Sequence, residues 1–174
     1  MSENESTRGE SIRKLAEMIQ GIEYAMLTTV EADGTLRSRP MATQQVEFDG
    51  DLWFFTHASD PKVDEVEREH NVNLAYASPE QQRYVSVSGK ARLVRDPEKA
   101  RELWNPAFKA WFPKGLEDPD LALLKVTVEK AEYWDSSQSA FVHLVGFIKA
   151  VATGESYQPG ENEKLNLQQG ASGG

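Results

Sequence analysis

Two Asp-Gly pairs, each following a run of strand-forming residues, most constrain how this chain can fold. Asp33-Gly34 follows the Thr-, Val- and Tyr-rich run 24–30, and Asp49-Gly50 ends the run 36–48. An Asp-Gly pair between two such runs is a strong short-range signal for a β-hairpin. We therefore predict a meander of three antiparallel strands, in which 52–56 is the returning strand.

The rest of the chain adds strands and helices without the alternation of a βαβ protein. Strands are predicted at 72–77, 84–94, 123–128 and 131–134, the second of them with the period of two of a half-buried strand. Helices are predicted at about 11–22, 60–70, 96–111 and 141–152. This order indicates a mainly β fold, an antiparallel barrel or sandwich with peripheral helices packed at its ends.

Local signals refine the last two helices and the limits of the domain. Pro106 should kink or split the third helix, and the fourth has a cap at Ser139 and a stop at Gly154. Both chain ends are polar, so we predict loose tails there. The predicted units are a flexible tail at 1–10, one domain at 11–158, and an extension at 159–174 that is flexible at its end.

Composition excludes several classes of function. The chain has no cysteine, which excludes disulfides, Cys-ligated metals and thiol nucleophiles. Its 19 basic and 28 acidic side chains argue against a nucleic-acid partner. No run of about 18 apolar residues occurs, and residues 1–10 lack the apolar core of an export signal. We therefore expect no membrane partner and a cytoplasmic location.

The segment Arg37-Ser38-Arg39-Pro40-Met41 is the first candidate binding element. In a strand, Arg37, Arg39 and Met41 share one face. Two guanidinium groups on a mostly apolar face need an anion, because isolated charges are costly to desolvate. The alternative is an exposed strand end whose arginines pair with Asp or Glu side chains.

The second candidate is the strand end at Phe55-Thr56, followed by a helix with Lys62 in its first turn. Free N–H groups and the helix dipole favour an anion at that end, and a bound phosphate would explain a lysine there. The alternative is that Asp60 caps the helix and pairs with Lys62, which leaves no need for a ligand.

The aromatic residues form a third group, and other chemistries have weaker support. Trp104 and Trp111 have helical spacing and are predicted to be core residues, whereas Trp134, near a strand end, is open to a ligand role. The three histidines show no metal-ligand spacing, and no phosphate loop or nucleophile elbow occurs. The sequence thus predicts no metal site and identifies no catalytic residue.

The order of these motifs resembles the FMN-binding split barrel of the pyridoxamine 5′-phosphate oxidase-like superfamily. The resemblance rests on the opening helix, the hairpins with Arg-Ser-Arg-Pro-Met, the strand ending in Phe-Thr, and Lys62 six residues after Thr56. The stretches 84–91, 102–106, 111–113 and 131–135 resemble the general stress protein 26 branch, also named for blue-light-induced proteins. The resemblance spans about residues 10–168 and implies a six-stranded antiparallel split barrel.

The resemblance also implies a set of cofactor-binding residues. Arg37 and Arg39 would meet the anionic parts of the flavin, Lys62 its phosphate, and Ser38 and Thr56 its ring or ribityl chain. Only the second member of the family's basic pair is matched, because proline replaces the first. Family members build two flavin sites across a dimer interface, so the contact of Trp134 with the flavin ring is expected to come from the partner subunit. The full set is Arg37, Ser38, Arg39, Met41, Phe55, Thr56, Lys62 and Trp134.

The function implied is that of a homodimeric FMN flavoprotein, a flavin-dependent oxidoreductase acting on an unidentified small-molecule redox substrate. The alternatives are a flavin-binding stress-response module without turnover, and a split barrel that uses a deazaflavin or haem. The oxidase proper ends in a barrel strand with an arginine motif that holds pyridoxal. This chain ends instead in 157–165 and a tail, so vitamin B6 oxidation is not expected.

Overall fold

The computed structural model describes residues 3–136, 140–156 and 160–168. Over these residues the chain forms four α-helices and seven strands, with short 3-10 turns at Pro79–Gln81, Pro106–Ala110 and Gly115–Glu117. The helices are α1 (Glu3–Ile19), α2 (Pro61–Arg68), α3 (Pro97–Leu103) and α4 (Ala140–Thr153). The strands are β1 (Tyr24–Val30), β2 (Leu36–Ala42), β3 (Asp51–His57), β4 (Asn71–Ser78), β5 (Arg83–Val94), β6 (Leu121–Asp135) and β7 (Glu161–Asn166).

All seven strands belong to one curled antiparallel sheet. Its order is β2-β1-β4-β5-β6-β3, and β7 pairs with the second half of β6. The strands β2 and β3 are therefore the two ends of the six-strand path, as in a split barrel. The mainly β, antiparallel six-stranded fold predicted from the sequence is confirmed.

Of the two hairpins in the predicted three-strand meander, the structure shows one. The first hairpin is confirmed, with Val30 opposite Leu36 and the Glu31 N–H donating to the Thr35 carbonyl at 2.8 Å. The second is wrong, because β3 pairs with β6 and not with β2. Residues 43–50, the connecting segment, leave the sheet after β2 and end at Gly50 with a φ of 119°. The connecting segment therefore joins the two edge strands of the six-strand path.

The strand β6 is continuous where two strands were predicted. Its pairing with β5 shifts by one residue near Glu129, so that Ser88 lies opposite Lys130 and Gly89 opposite Val128. A Cβ atom on Gly89 would lie 2.3 Å from the Thr127 carbonyl oxygen, so this close approach needs glycine. The irregularity bends the strand without ending it.

The core lies between the sheet and α1. Leu15 and Met18 of α1 pack with inward residues of the sheet such as Leu27, Leu74 and Val126, all of them buried. Burial of such side chains stabilises the fold by roughly 1.5–3 kcal/mol each. The helix α1 thus covers one side of the barrel interior.

Both terminal segments contain regular structure. The helix α1 already begins at Glu3, so most of the predicted N-terminal tail is helical. The Arg8 Nε donates to the Leu167 carbonyl at 3.0 Å and ties this helix to the C-terminal segment. The expectation that the chain ends without a barrel strand is also wrong, because β7 pairs along β6, although β7 carries no arginine.

The proline and glycine signals in the later helices are confirmed. The helix α3 ends at Leu103, and a 3-10 turn begins at Pro106, capped by the Asn105 side chain. After α4, the Gly154 N–H donates to the Ala150 carbonyl at 2.9 Å and its φ is 72°. The predicted cap at Ser139 lies outside the described residues.

Candidate functional site

A cavity of about 260 Å³ lies where the end of β2, the end of β3 and the start of α2 meet. Four of the eight predicted site residues line it: Met41, Phe55, Thr56 and Lys62. Aromatic residues of the 106–112 region form another part of its wall. The structure therefore brings together the strand-end and helix-start motifs that the sequence singled out.

The β3 end supplies an apolar floor and a buried hydroxyl. The Phe55 ring packs edge-on against Trp104 at 5.3 Å between centroids and lies 5.4 Å from Phe108. Thr56 is buried, and its Oγ1 donates to the His57 carbonyl at 3.2 Å. These contacts hold both side chains in the orientation that the cavity presents to a ligand. Trp104 is a packing residue, as predicted.

Lys62 places a positive charge at the polar end of the cavity. Only 10% of its side chain is exposed, and its Nζ lies 2.5 Å from Asp60 Oδ2. Asp60 also caps α2, because its Oδ1 accepts the Lys62 backbone N–H at 3.0 Å. Burial acts to raise the pKa of Asp60, but hydrogen bonds from Lys62 and the charges of Lys62 and Arg39 outweigh it and lower that pKa. The structure therefore shows the alternative interpretation of this segment, in which Asp60 caps the helix and pairs with Lys62.

Arg39 is neutralised inside the protein and does not line the cavity. Its Nη2 donates to Glu65 Oε2 at 2.8 Å, and its Nη1 donates to Thr29 Oγ1 at 2.9 Å. The Thr29 hydroxyl in turn donates to the same Glu65 oxygen at 2.5 Å. Burial acts to raise the pKa of Glu65, but these two donors and the arginine charges outweigh it and lower that pKa. The network fastens β2 and β1 to α2.

The other two polar residues of β2 also point away from the cavity lining. The Arg37 Nη1 lies 3.6 Å from Glu31 Oε1 on an exposed part of the hairpin. The Ser38 and Thr28 hydroxyls share a hydrogen bond of 2.6 Å across the two strands. Pairing of both arginines with glutamates was the alternative interpretation of this segment, and it is what the structure shows.

Trp134 does not line this cavity within one subunit. It is on β6, opposite Tyr84, with 42% of its surface exposed. Through Tyr84 and Ala77 the strand registers align Trp134 with Tyr24 in the cavity wall. Three strand spacings, about 15 Å, separate the two positions. A contact of Trp134 with a ligand in this cavity stays a prediction.

Among the cavity-lining side chains that sequence reasoning missed are Gln44, His57 and Trp111. Gln44 has a buried Nε2 without a hydrogen-bond partner among the described residues. The His57 Nε2 lies 3.7 Å from Asp118 Oδ2, and its ring is 4.9 Å from that of Phe112. Trp111, predicted as core, is 51% exposed at the cavity wall, because the break at Pro106 turns it outward. Only the strand-end position of His57 was visible in the sequence.

The arrangement suits a planar ring with an anionic tail. Aromatic walls favour a flat apolar group, and the buried ammonium favours an anion. No three His, Asp or Glu side chains among residues 3–136, 140–156 and 160–168 come together as metal ligands. Over the same ranges, no helix is long and apolar enough to span a membrane.

The sequence and the fold match known proteins. The model of the family described as pyridoxamine 5′-phosphate oxidase like matches residues 10–158. Protein bli-3 of Neurospora crassa is 29% identical over 156 residues, which cover 84% of this chain and 75% of the relative. The chain belongs to the pyridoxamine 5′-phosphate oxidase-like family. Within that family it falls in the general stress protein 26 branch.

Two solved structures illustrate the branch. A general stress protein 26 of Jannaschia sp. CCS1 shares the fold with a TM-score of 0.71 and 23% identity, over 91% of this chain and 99% of that one. The general stress FMN/FAD binding protein of Xanthomonas citri has a TM-score of 0.64 and 29% identity, over 75% of this chain and 92% of that one. The family is thus one in which flavin-binding members occur.

Proposed function

We propose that this protein is a flavoprotein that binds FMN in the cavity between β2, β3 and α2. The observation that carries the proposal is the buried Lys62 ammonium at one end of an aromatic-walled cavity. The name of the Xanthomonas citri relative, which mentions FMN and FAD, supports the same class of ligand. When bound, the flavin supplies reversible redox chemistry at its ring, and the protein supplies binding and orientation.

Some residues of the cavity would contact the flavin ring and ribityl chain, and others its phosphate. Phe55, Met41 and Thr56 would hold the ring and the ribityl chain, and Lys62 would turn from Asp60 to the phosphate. Arg37 is the more available of the two arginines, because its partner is exposed and 3.6 Å away. Arg39 is held by two buried partners and acts as a positioning residue that fixes β2 against α2.

The proposal includes a homodimer in which Trp134 reaches the flavin of the partner subunit. The cavity of about 260 Å³ is smaller than typical ligand sites of roughly 300–1,000 Å³, as expected of half a site. The outer face of the sheet exposes large apolar side chains in neighbouring rows, which fits an isologous interface. These residues are Tyr24, Met26, Tyr84 and Trp134, each between 41% and 50% exposed.

The proposal also covers catalytic turnover and the cellular location of the protein. An FMN-dependent oxidoreductase of unidentified substrate is the first candidate, because His57 and Gln44 place polar side chains in the cavity wall. A flavin-binding module without turnover and a deazaflavin protein are the alternatives from the same family. A cytoplasmic location stays a prediction.

The test is the visible absorbance spectrum of the purified protein, before and after addition of FMN and desalting. Flavin bands retained at about one per chain, on a particle of dimer mass in light scattering, are the expected result. A colourless protein that also fails to retain added FMN contradicts the proposal. Reduction of the bound flavin by NADH or NADPH, followed by a screen of acceptors, then separates an oxidoreductase from a module without turnover.

A further inference from the structure

His57 lies in the wall of the proposed flavin cavity, but none of the ring and phosphate contacts assigned so far involves its side chain. It is the last residue of β3 and lines the same cavity as Lys62. Its side chain is 37% exposed, and its ring lies 4.9 Å from that of Phe112. The imidazole is therefore supported on one side and accessible to a ligand on another.

A buried carboxylate lies next to this imidazole. The Nε2 atom of His57 is 3.7 Å from Oδ2 of Asp118, and only 8% of the Asp118 side chain is exposed. The Asp118 Oδ1 accepts the backbone N–H of Asp120 at 2.9 Å, which orients the carboxylate. Asp118 can thus form an ion pair with the imidazole whenever the histidine is protonated.

The charges in the cavity wall give a second cation a clear role. Of the residues that the structure describes in this wall, only Lys62 and His57 can carry a positive charge, and Asp60 carries a negative one. The Lys62 ammonium is already paired with Asp60. A phosphate dianion that takes over the ammonium therefore meets one cation and one anion. These two charges cancel unless the histidine is also protonated.

The arginines of β2 do not add a positive charge to this wall. Arg39 is paired with Glu65, and Arg37 lies on an exposed part of the hairpin. Neither is among the residues that line the cavity. His57 is therefore the side chain in place to supply the second positive charge.

The other charged groups near the imidazole come from the segments that follow β3 and precede β6. Asp120 accepts hydrogen bonds from the backbone N–H and the hydroxyl of Ser59. The bond from this hydroxyl lowers the pKa of Asp120, and the charges of His57 and Arg95 lower it further. The pKa of Asp60 is lowered as well. Carboxylates, lysine and arginine keep their charge near neutral pH, whereas a histidine changes its charge between about pH 5 and 8.

We propose that protonated His57 binds the phosphate of the flavin together with Lys62, so that the protein holds FMN more tightly as the pH falls from about 8.5 to 6.5. The inference rests on the proposed function, because it assigns one more contact to the same ligand. Beyond that function, it makes the phosphate contact depend on the charge of a histidine. Riboflavin has the same ring and ribityl chain without the phosphate, so its binding should show no such dependence.

The experiment is a fluorescence titration of the flavin-free, full-length protein with FMN at about pH 8.5 and about pH 6.5. The native protein should bind FMN about threefold more tightly at the lower pH, because a partly exposed ion pair then forms in the protonated fraction. The phosphate of FMN stays mostly dianionic at or above about pH 6.5. The same titration with riboflavin should give equal affinities at the two pH values.

Two variants of His57 separate its charge from its size. His57→Gln should lose the gain in FMN affinity at the lower pH, because the titrating group is gone. His57→Lys should bind FMN about fivefold more tightly than the native protein at about pH 8.5 and gain nothing at lower pH, since its charge is permanent. Both variants keep the hydrogen bonds from Thr56 and Asp60 to residue 57, because its backbone carbonyl accepts them.

His70→Gln is the matched control. The His70 Nδ1 contacts the Ala91 carbonyl at 3.2 Å, and this histidine does not line the cavity, so the variant should keep the native pH dependence. The same pH dependence in His57→Gln, or with riboflavin in the native protein, would overturn the inference and leave FMN binding in place. Absence of FMN binding to the native protein at both pH values would instead contradict the proposed function itself.

Discussion

The Lys62 ammonium lies 2.5 Å from the Asp60 carboxylate at the first turn of α2, and both side chains line the cavity between β2, β3 and α2. The two charges cancel while the cavity is empty of anions. A phosphate that enters must compete with Asp60 for the ammonium. The affinity of the site for FMN therefore depends on the balance between these two residues. Substitution of one should lower this affinity, and substitution of the other should raise it.

Removal of the lysine should weaken FMN binding. In Lys62→Ala the loss of one charge-assisted hydrogen bond, about 1.5–3 kcal/mol, corresponds to a rise in Kd of tenfold or more. Fluorescence titration with FMN measures this Kd. Lys90→Ala, at an exposed position on β5, is the control. An unchanged Kd in Lys62→Ala would remove this residue from the site.

Removal of the competing carboxylate should have the opposite effect. Asp60→Asn keeps a side chain that caps helices as well as aspartate does, but it lacks the negative charge. We expect FMN to bind several times more tightly while the melting temperature of the flavin-free protein changes little. Weaker FMN binding in this variant would show that Asp60 helps to hold the ligand and does not compete with it.

The Arg39–Glu65 pair should make stability depend on pH. Because the pKa of Glu65 is lowered in the folded protein, its contribution is complete above the unfolded pKa and is lost as pH falls through the folded one. Arg39→Ala leaves a buried carboxylate unpaired and should cost about 3 kcal/mol of unfolding free energy at neutral pH. Urea unfolding at several pH values measures both effects.

The matched variant separates this pair from general acid denaturation. In Glu65→Gln the loss of stability between pH 5 and strongly acidic conditions should be smaller than in the native protein, since one titrating group is gone. If both proteins lose stability in parallel over that range, Glu65 does not contribute to the acid transition.

The outer face of the sheet should hold two subunits together through Trp134. Trp134→Arg puts a charge in the apolar row beside Tyr84 and should shift the protein from dimer to monomer in light scattering. If the partner's indole also contacts the flavin, FMN retention falls at the same time. A dimer that persists in Trp134→Arg would place the interface elsewhere.

Local sequence signals predicted those parts of the fold and site that are themselves local. The Asp33-Gly34 hairpin, the split at Pro106 and the helix start at Asp60 each depend on a few adjacent residues. The same holds for Thr56 and Lys62, which one short loop brings into the same cavity. Such features follow from turn chemistry and strand periodicity alone.

The parts that were missed depend on contacts between distant segments. The sequence around Arg39 does not reveal that Glu65, on α2, takes up its charge. The pairing of β3 with β6 competes with a local hairpin, and the connecting segment decides between the two. Gln44 belongs to that segment and follows no strand or helix period, so nothing in the sequence marked it as a cavity residue.

The pairing of β3 with β6 has a further consequence for the order in which the molecule forms. Leu121 lies opposite His57, so about sixty residues intervene between the two strands. Bringing such distant segments together has a high entropic cost before their contacts contribute, and chains with many long-range contacts fold slowly. The β1–β2 hairpin needs no such closure. We therefore expect the cavity between β2 and β3 to become complete only in a late step of folding, when β3 docks on β6.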